Sequence, residues 1–224
     1  MAVYRTKEST IYMDHKKATP VFQREDVRVE KEAVVYQGFV QVRDYWVRHK
    51  CFAGGWSETV HRECVQRPPA VGVLLYDPHL EKIVLIEQFR IGALDKSDSP
   101  WLLELVAGLV ETGEEPADVA RRETLEEAGL HVKQLKHIYG YWVTAGASNE
   151  WLDLFCGEVD ASEAGGIFGL AHEHEDIRVV VMSQESAFAA AADGCIKSAH
   201  TLLALMWLQC HLQTIRQQWL GETS

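Results

Sequence analysis

The stretch Gly108-Leu-Val-Glu-Thr-Gly-Glu114-Glu-Pro116-Ala-Asp-Val-Ala-Arg-Arg122-Glu123-Thr124-Leu-Glu126-Glu127-Ala-Gly129-Leu130 decides how this chain folds. Gly108, Glu114, Arg122, Glu123, Glu126, Glu127 and Gly129 stand in it at fixed offsets. At an average usage of about 7% each, these matches arise together by chance roughly once in 10⁸ windows, so coincidence is a poor explanation. Pro116 suits the first position of a helix, where its missing N–H is no loss, and Gly129 suits the residue just past the end. The spacing therefore predicts a helix over 116–128. Glu123, Glu126 and Glu127, at i, i+3 and i+4, rise from one face within a single turn. Like charges so placed repel, and a cation between them removes the penalty. Hard oxygen ligands suit Mg²⁺ or Mn²⁺. A solvated acidic face is the plain alternative, and the two glycines, the distant Glu114 and the adjacent Arg122 argue against it. Arg122 is expected to pair with Glu114 and brace the preceding loop.

This segment resembles the signature of the Nudix hydrolases, with Gly108, Glu114, Arg122, Glu123, Glu126, Glu127, Gly129 and Leu130 at matching positions. Thr124 stands where the pattern usually has a larger aliphatic residue, a packing difference that leaves the carboxylates alone. The resemblance implies a loop–helix–loop that binds divalent metal, which assists hydrolysis of a nucleoside diphosphate linked to another group.

Composition fits a globular enzyme: 224 residues, 47% hydrophobic and 25% charged. A net charge of −11 argues against a non-specific nucleic-acid binder, which needs a basic footprint. Cys51, Cys64, Cys156, Cys195 and Cys210 are odd in number, scattered and without a CxxC pair, so reduced thiols are expected rather than a disulfide frame or a zinc site. The first ten residues have no apolar core typical of a signal peptide, and no apolar run is long enough to span a membrane. A soluble cytoplasmic protein is expected.

The chain divides near Arg67-Pro68-Pro69. Before it, strands are predicted at 27–36, 39–48 and 56–66, broken by Gly38 and Gly54-Gly55. After it, apolar runs at 70–76 and 82–89 form a hairpin, and further strands are predicted at 101–106, 132–141, 151–159 and 177–182. Two helices close the chain, at 184–192 and 198–219, the second with an apolar stripe of Leu202, Leu205, Leu208, Leu212, Ile215 and Trp219. The fold class is α+β. Together with the resemblance this means a Nudix-type α/β/α sandwich with a mixed sheet over 68–224, preceded by a small N-terminal β-sheet appendage over 1–67.

Runs on either side of the signature narrow the likeness. LEKIVLIEQFRIGA, GEVDASEAGG and HEHEDIRVVVMS are similar to the ADP-ribose pyrophosphatase branch. That branch exchanges its N-terminal appendage between two subunits, so the resemblance implies a homodimer in which the partner's appendage helps build the active site.

His172-Glu173-His174-Glu175-Asp176 is the second constellation. It fits a transition-metal site, an acidic surface loop without a role, or, as preferred here, a loop that lends carboxylates to the metal cluster. By analogy with the branch, Glu173 is the general base and Glu175 a further metal ligand. Glu126 and Glu127 complete the catalytic set with Glu173. The metal set is Glu123, Glu126, Glu127, Glu175 and the backbone carbonyl of Ala107, holding two or three Mg²⁺ ions with Mn²⁺ as the alternative. With ADP-ribose the products are AMP and ribose 5-phosphate. Arg90, at a strand end, suits a diphosphate because a guanidinium forks onto phosphate oxygens, its alternative being a solvated arginine. Phe39 and Arg62 match branch positions that sandwich adenine from the partner subunit, although Phe39 also suits ordinary strand core. Glu63 is expected to accept a hydrogen bond from the base, and Glu150 to contact the terminal ribose.

One departure concerns specificity. ADP-ribose hydrolases usually carry a proline about fifteen residues beyond the signature. Here the stretch reads Thr144-Ala145-Gly146-Ala147-Ser148-Asn149-Glu150, with Ala145 in the proline's place. GDP-mannose and ADP-glucose are therefore competing substrates. A non-catalytic nucleotide-sugar sensor is disfavoured by the complete set of glutamates and the lack of a basic helix-turn-helix segment. A hydrolase of RNA caps or damaged nucleotides is disfavoured by the acidic balance.

Overall fold

The computed structural model describes residues 19–95 and 98–221. Two compact units are present: Met1–Arg67 with Thr144–Asn149, and Pro68–Val143 with Glu150–Ser224.

The first unit is an antiparallel sheet of β1 (Val27–Gln37), β2 (Gln41–His49) and β3 (Val60–Gln66), in that order. Gly38 makes the first turn, because a Cβ there would come within 2.3 Å of the Tyr36 hydroxyl. The third strand starts later than position 56. Gly54 and Gly55, at φ 90° and 77°, curl the chain so that the Cys51 N–H donates to the Gly55 carbonyl, and the ladder begins only at Val47↔Val60. Thr144–Asn149 joins this unit through backbone bonds. The Val65 N–H donates to the Ala147 carbonyl at 2.8 Å, and the Asn149 N–H to the Val65 carbonyl at 3.2 Å.

The second unit contains β4 (Ala70–Asp77), β5 (Lys82–Phe89), β6 (Trp101–Glu104), β7 (Val106–Leu109), α1 (Pro116–Ala128), β8 (Leu135–Trp142), β9 (Trp151–Glu158), β10 (Gly166–Phe168), β11 (Ile177–Ser183), α2 (Gln184–Ala192) and α3 (Ala199–Leu220). Its sheet runs β10-β11-β5-β4-β9-β8, with β6 on β5 and β7 on β4. The β4–β9 pair is parallel and the others are antiparallel, so the sheet is mixed. Every residue of β4 is buried, as a near-continuous apolar run predicts for a strand covered on both faces. On one face Val71, Val73, Val84, Ile86, Ile177 and Val179 pack with Val119, Ala120 and Ala128 of α1. On the other, Leu74, Tyr76, Ile83, Leu85 and Leu154 pack with Ala187 of α2 and Leu205, Leu208 and Ile215 of α3. Leu202, Leu212 and Trp219 rest against that second cluster, which completes the stripe of α3. Each fully buried Leu or Ile contributes roughly 1.5–3 kcal/mol, so the sheet's alternation, rather than helix propensity, holds the three helices in place. The chain is an α+β sandwich.

The stretch predicted as one strand at 101–106 is two. β4 and β5 pair only from Leu75↔Val84 to Asp77↔Lys82 and then diverge. β6 takes the free edge of β5, and β7 takes that of β4. Between them Leu105 turns its N–H to Thr201 Oγ1 of α3, at 2.9 Å. β7, so placed, brings Ala107 and Gly108 against Glu127 and Glu123 of α1.

Candidate active site

The signature residues build the site from α1 upward. Pro116 holds the first helical position. Gly129 caps the end at φ 66°, its N–H donating to the Leu125 carbonyl, and a Cβ there would lie 2.4 Å from the Phe168 ring. Gly108 of β7 has a different reason: a Cβ would meet the Glu123 carboxyl at 2.1 Å, so only glycine lets that carboxylate lie against the strand. Thr124 is fully buried, and its hydroxyl donates to the Ala120 carbonyl at 2.7 Å, which explains why a polar residue is tolerated where an aliphatic is usual.

Three carboxylates form a fan around Arg122. Its Nη1 lies 2.8 Å from Glu123 Oε1 and 2.9 Å from Glu126 Oε2, and its Nε lies 3.6 Å from Glu114 Oε1. Glu114 in turn accepts the Glu111 N–H, which ties the loop before the helix. Glu127 is only 3% exposed, and its Oε2 accepts the Ala107 N–H at 3.0 Å. Burial pushes its carboxyl up to about 8 against that hydrogen bond, with the Glu123 and Glu175 charges adding to the rise. Burial pushes Glu123 up to about 7, opposed by Arg122 and aided by Glu126 and Glu175.

Glu175 follows the short 3-10 turn Ala171–Glu173 and His174, which sits in the left-handed region at φ 58°. Its Oε2 accepts the Leu170 N–H at 3.1 Å, and its charge reaches both Glu123 and Glu127. The Glu173 side chain lies outside the described residues, as does any geometry for it as a base. Among the described residues, no three His, Cys, Asp or Glu groups stand at ligand spacing. The donors nonetheless fit a hard divalent ion: desolvation and mutual repulsion raise Glu123 and Glu127 above the ordinary carboxylate range, and a bound cation would relieve both effects.

Arg90 follows β5 and donates from Nε to Glu104 Oε2 at 2.6 Å, so it is exposed but ion-paired. Arg90 and Glu104 line a cleft of about 670 Å³ with Ile91, Gly92, Leu102 and Lys197. Sequence reasoning missed Glu104 and Lys197. An acidic residue inside the apolar run Trp101–Glu104 was the available signal for the first, and Lys197 had none. Glu150 precedes β9, and its charge acts on Tyr141 and His200, whose side chains meet at 2.5 Å. Burial, with Glu150 adding to it, pushes the Tyr141 hydroxyl up to about 12.

Thus Ala107, Glu123, Glu126, Glu127, Glu175, Arg90 and Glu150 belong to the second unit, whereas Phe39, Arg62 and Glu63 belong to the first. Phe39 is not strand core: it follows the Gly38 turn and is 94% exposed, with the Arg67 guanidinium 5.9 Å from its ring centre. Arg62 and Glu63 are exposed on β3, Arg62 donating to the His61 carbonyl. Ala145 lies in a turn closed without proline, where the Ala147 and Ser148 N–H groups both donate to the Thr144 carbonyl.

A family model for the NUDIX domain matches residues 66–201. The chain belongs to the Nudix family. This Nudix hydrolase is 45% identical over 198 residues to the ADP-ribose pyrophosphatase of Escherichia coli K12, covering 88% of this chain and 95% of the relative. It is 43% identical over 201 residues to the ADP-ribose pyrophosphatase of Haemophilus influenzae, covering 88% and 93%. To the GDP-mannose pyrophosphatase of Cronobacter sakazakii it is 33% identical over 153 residues, covering 66% and 77%. Nudix ADP-ribose pyrophosphatases generally depend on divalent metal. The five cysteines of this Nudix chain are free thiols. None of its described helices is long and apolar enough to cross a membrane.

Proposed function

We propose that this enzyme hydrolyses the diphosphate bond of ADP-ribose to AMP and ribose 5-phosphate. The carrying observation is the pair of crowded carboxylates on α1, the buried Glu127 and the half-buried Glu123, with the charge of Arg90 reaching Glu127. Glu123, Glu126, Glu127, Glu175 and the Ala107 carbonyl would hold two or three Mg²⁺ ions, with Mn²⁺ as a substitute. Bound cations supply Lewis-acid chemistry, neutralising the diphosphate and lowering the pKa of a water. Arg90 grips phosphate oxygens from the cleft side, its fork suited to two of them. Arg122 keeps Glu123 and Glu126 aimed at one place. As the water oxygen bonds to phosphorus, the bridging P–O bond breaks and Glu173 takes the water's proton. The displaced fragment leaves as a phosphate monoester, with no covalent enzyme intermediate. Glu175 takes the base role if Glu173 does not.

The functional protein is proposed to be a cytoplasmic homodimer, with 1–67 as the dimerising, exchanged appendage and 68–224 as the catalytic domain. The partner's Phe39 and Arg62 then stack on adenine, Glu63 meets the base, and Glu150 meets the terminal ribose. The exposed Phe39 ring supports this reading, since an aromatic at 94% exposure gains by finding a face to stack on. GDP-mannose is the second reading, favoured by Ala145, which leaves the sugar-side loop free of a fixed φ. The test is a Mg²⁺-dependent panel of ADP-ribose, ADP-glucose and GDP-mannose with products separated by ion exchange. ADP-ribose should lead, and a preference for GDP-mannose would replace the named substrate.

A further inference from the structure

Gln88 carries a buried amide nitrogen that the described residues leave unsatisfied. It is 8% exposed, its Nε2 is fully buried, and that nitrogen has no hydrogen-bond partner. Buried amide donors in folded proteins are paired in the large majority of cases, so an orphan calls for an explanation. An unsatisfied buried donor costs its full desolvation penalty, a cost that a partner from outside the chain would remove.

Strand alternation says where this amide sits. Val84 and Ile86 of β5 pack in the cluster that includes Val119, Ala120 and Ala128 of α1. Gln88 and Arg90 continue the same alternate series, so both face the side of the sheet that α1 covers with Glu123 and Glu127. The register partner of Gln88 is Leu102, and Leu102, Arg90 and Glu104 all line the cleft of about 670 Å³. The orphan donor thus stands beside two residues that line the cleft, Leu102 across the ladder and Arg90 two residues along the chain, the arginine proposed to grip phosphate.

We propose that Gln88 is a diphosphate-binding residue, its Nε2 donating to a non-bridging phosphate oxygen beside the one held by Arg90. The terminal torsion of glutamine is broad and soft, so a rotation there turns the donor toward the cleft at little cost. Arg90 spends its Nε on Glu104, leaving its outer nitrogens to the ligand. A neutral donor next to it adds a bond to the phosphate without adding a charge that would repel the cations. This inference rests on the reading of the site as a diphosphate hydrolase.

Gln88→Met removes the donor at nearly constant volume, and Gln88→Glu presents a carboxylate to the phosphate. Because no hydrogen bond of that nitrogen to the described residues is lost, Gln88→Met should melt at or above the wild-type temperature in EDTA. For whichever nucleotide sugar the wild type turns over, kcat/KM should fall about 10- to 100-fold, as for a lost charge-assisted hydrogen bond. Gln88→Glu should fall further. A second arm measures calorimetric binding of Mg²⁺ with methylenediphosphonate, a diphosphate that cannot be hydrolysed. It should weaken by about the same factor in Gln88→Met. The panel alone judges the substrate reading, whereas the methylenediphosphonate arm judges Gln88 even if every sugar nucleotide fails. Equal binding by wild type and Gln88→Met, no binding by the wild type, or an activity loss matched by a lower melting temperature overturns the assignment.

Discussion

Glu127→Gln should stabilise the metal-free protein at alkaline pH while abolishing its use of metal. The folded carboxyl sits at about 8, against 4.5 in a solvated chain, because burial disfavours the charge more than the Ala107 N–H favours it. Folded Glu127 therefore holds its proton between these values while the unfolded chain has lost it. The unfolded state binds fewer protons there, so stability falls as pH rises from about 4.5 to 8 and levels off above. Each pKa unit is worth about 1.4 kcal/mol, so the full penalty approaches 5 kcal/mol, and relaxation with water entry leaves roughly 3 kcal/mol in practice. Glutamine keeps the acceptor for Ala107 and carries no charge. In EDTA at pH 9 the variant should melt about 5–12 °C above wild type for a chain of this size, and the two should converge at pH 4.5. Adding Mg²⁺ at pH 9 should raise the wild type and leave the variant nearly unmoved. Differential scanning calorimetry across pH, with and without Mg²⁺, reads both. A Glu127→Gln protein that melts below wild type at pH 9 in EDTA would refute the reasoning, because the buried charge would then be a net stabiliser.

Glu173→Gln should lower kcat about 10²- to 10⁴-fold, as for loss of a general base, with KM nearly unchanged; wild-type turnover would move the role to Glu175. Arg90→Ala should cost about 10- to 100-fold in kcat/KM through a lost charge-assisted bond to phosphate, and Arg90→Lys should recover little of it because an ammonium lacks the fork. Gly129→Ala should destabilise the fold by about 1–3 kcal/mol, since alanine must hold the left-handed region at φ 66° and displace the Phe168 ring. Urea unfolding checks it, with an unchanged midpoint counting against the cap.

The helix and its carboxylates were legible because their rules are local: a proline start, a glycine stop and spacings of three and four. The runs over β4, β5, β9 and α3 were legible for the same reason, each carrying a full period of its pattern. What sequence did not display depended on partners far along the chain. The break at Leu105 follows from a hydroxyl on Thr201, and no propensity encodes that bond. β10, three residues among glycines, is too short to show alternation and exists because β11 offers an edge. The pairing of Arg90 with Glu104, which stands across the ladder from Ile86, and the unsatisfied Nε2 of Gln88 both depend on how β5 and β6 pack, and no local rule encodes either. Phe39 looked equally like core or contact, since a single aromatic beside a turn glycine has no period from which to choose.

The joining of Thr144–Asn149 to the N-terminal sheet bears on how this protein is handled as fragments. A piece ending at Arg67 would lose the acceptor for the Val65 N–H, the donor to the Val65 carbonyl and the side-chain oxygen that receives the Arg67 N–H. Its last strand would emerge with a ragged, sticky border, prone to adhere to copies of itself. A soluble stand-alone version would have to graft the missing hexapeptide back on, so the obvious cleavage point at the paired prolines is a poor place to cut.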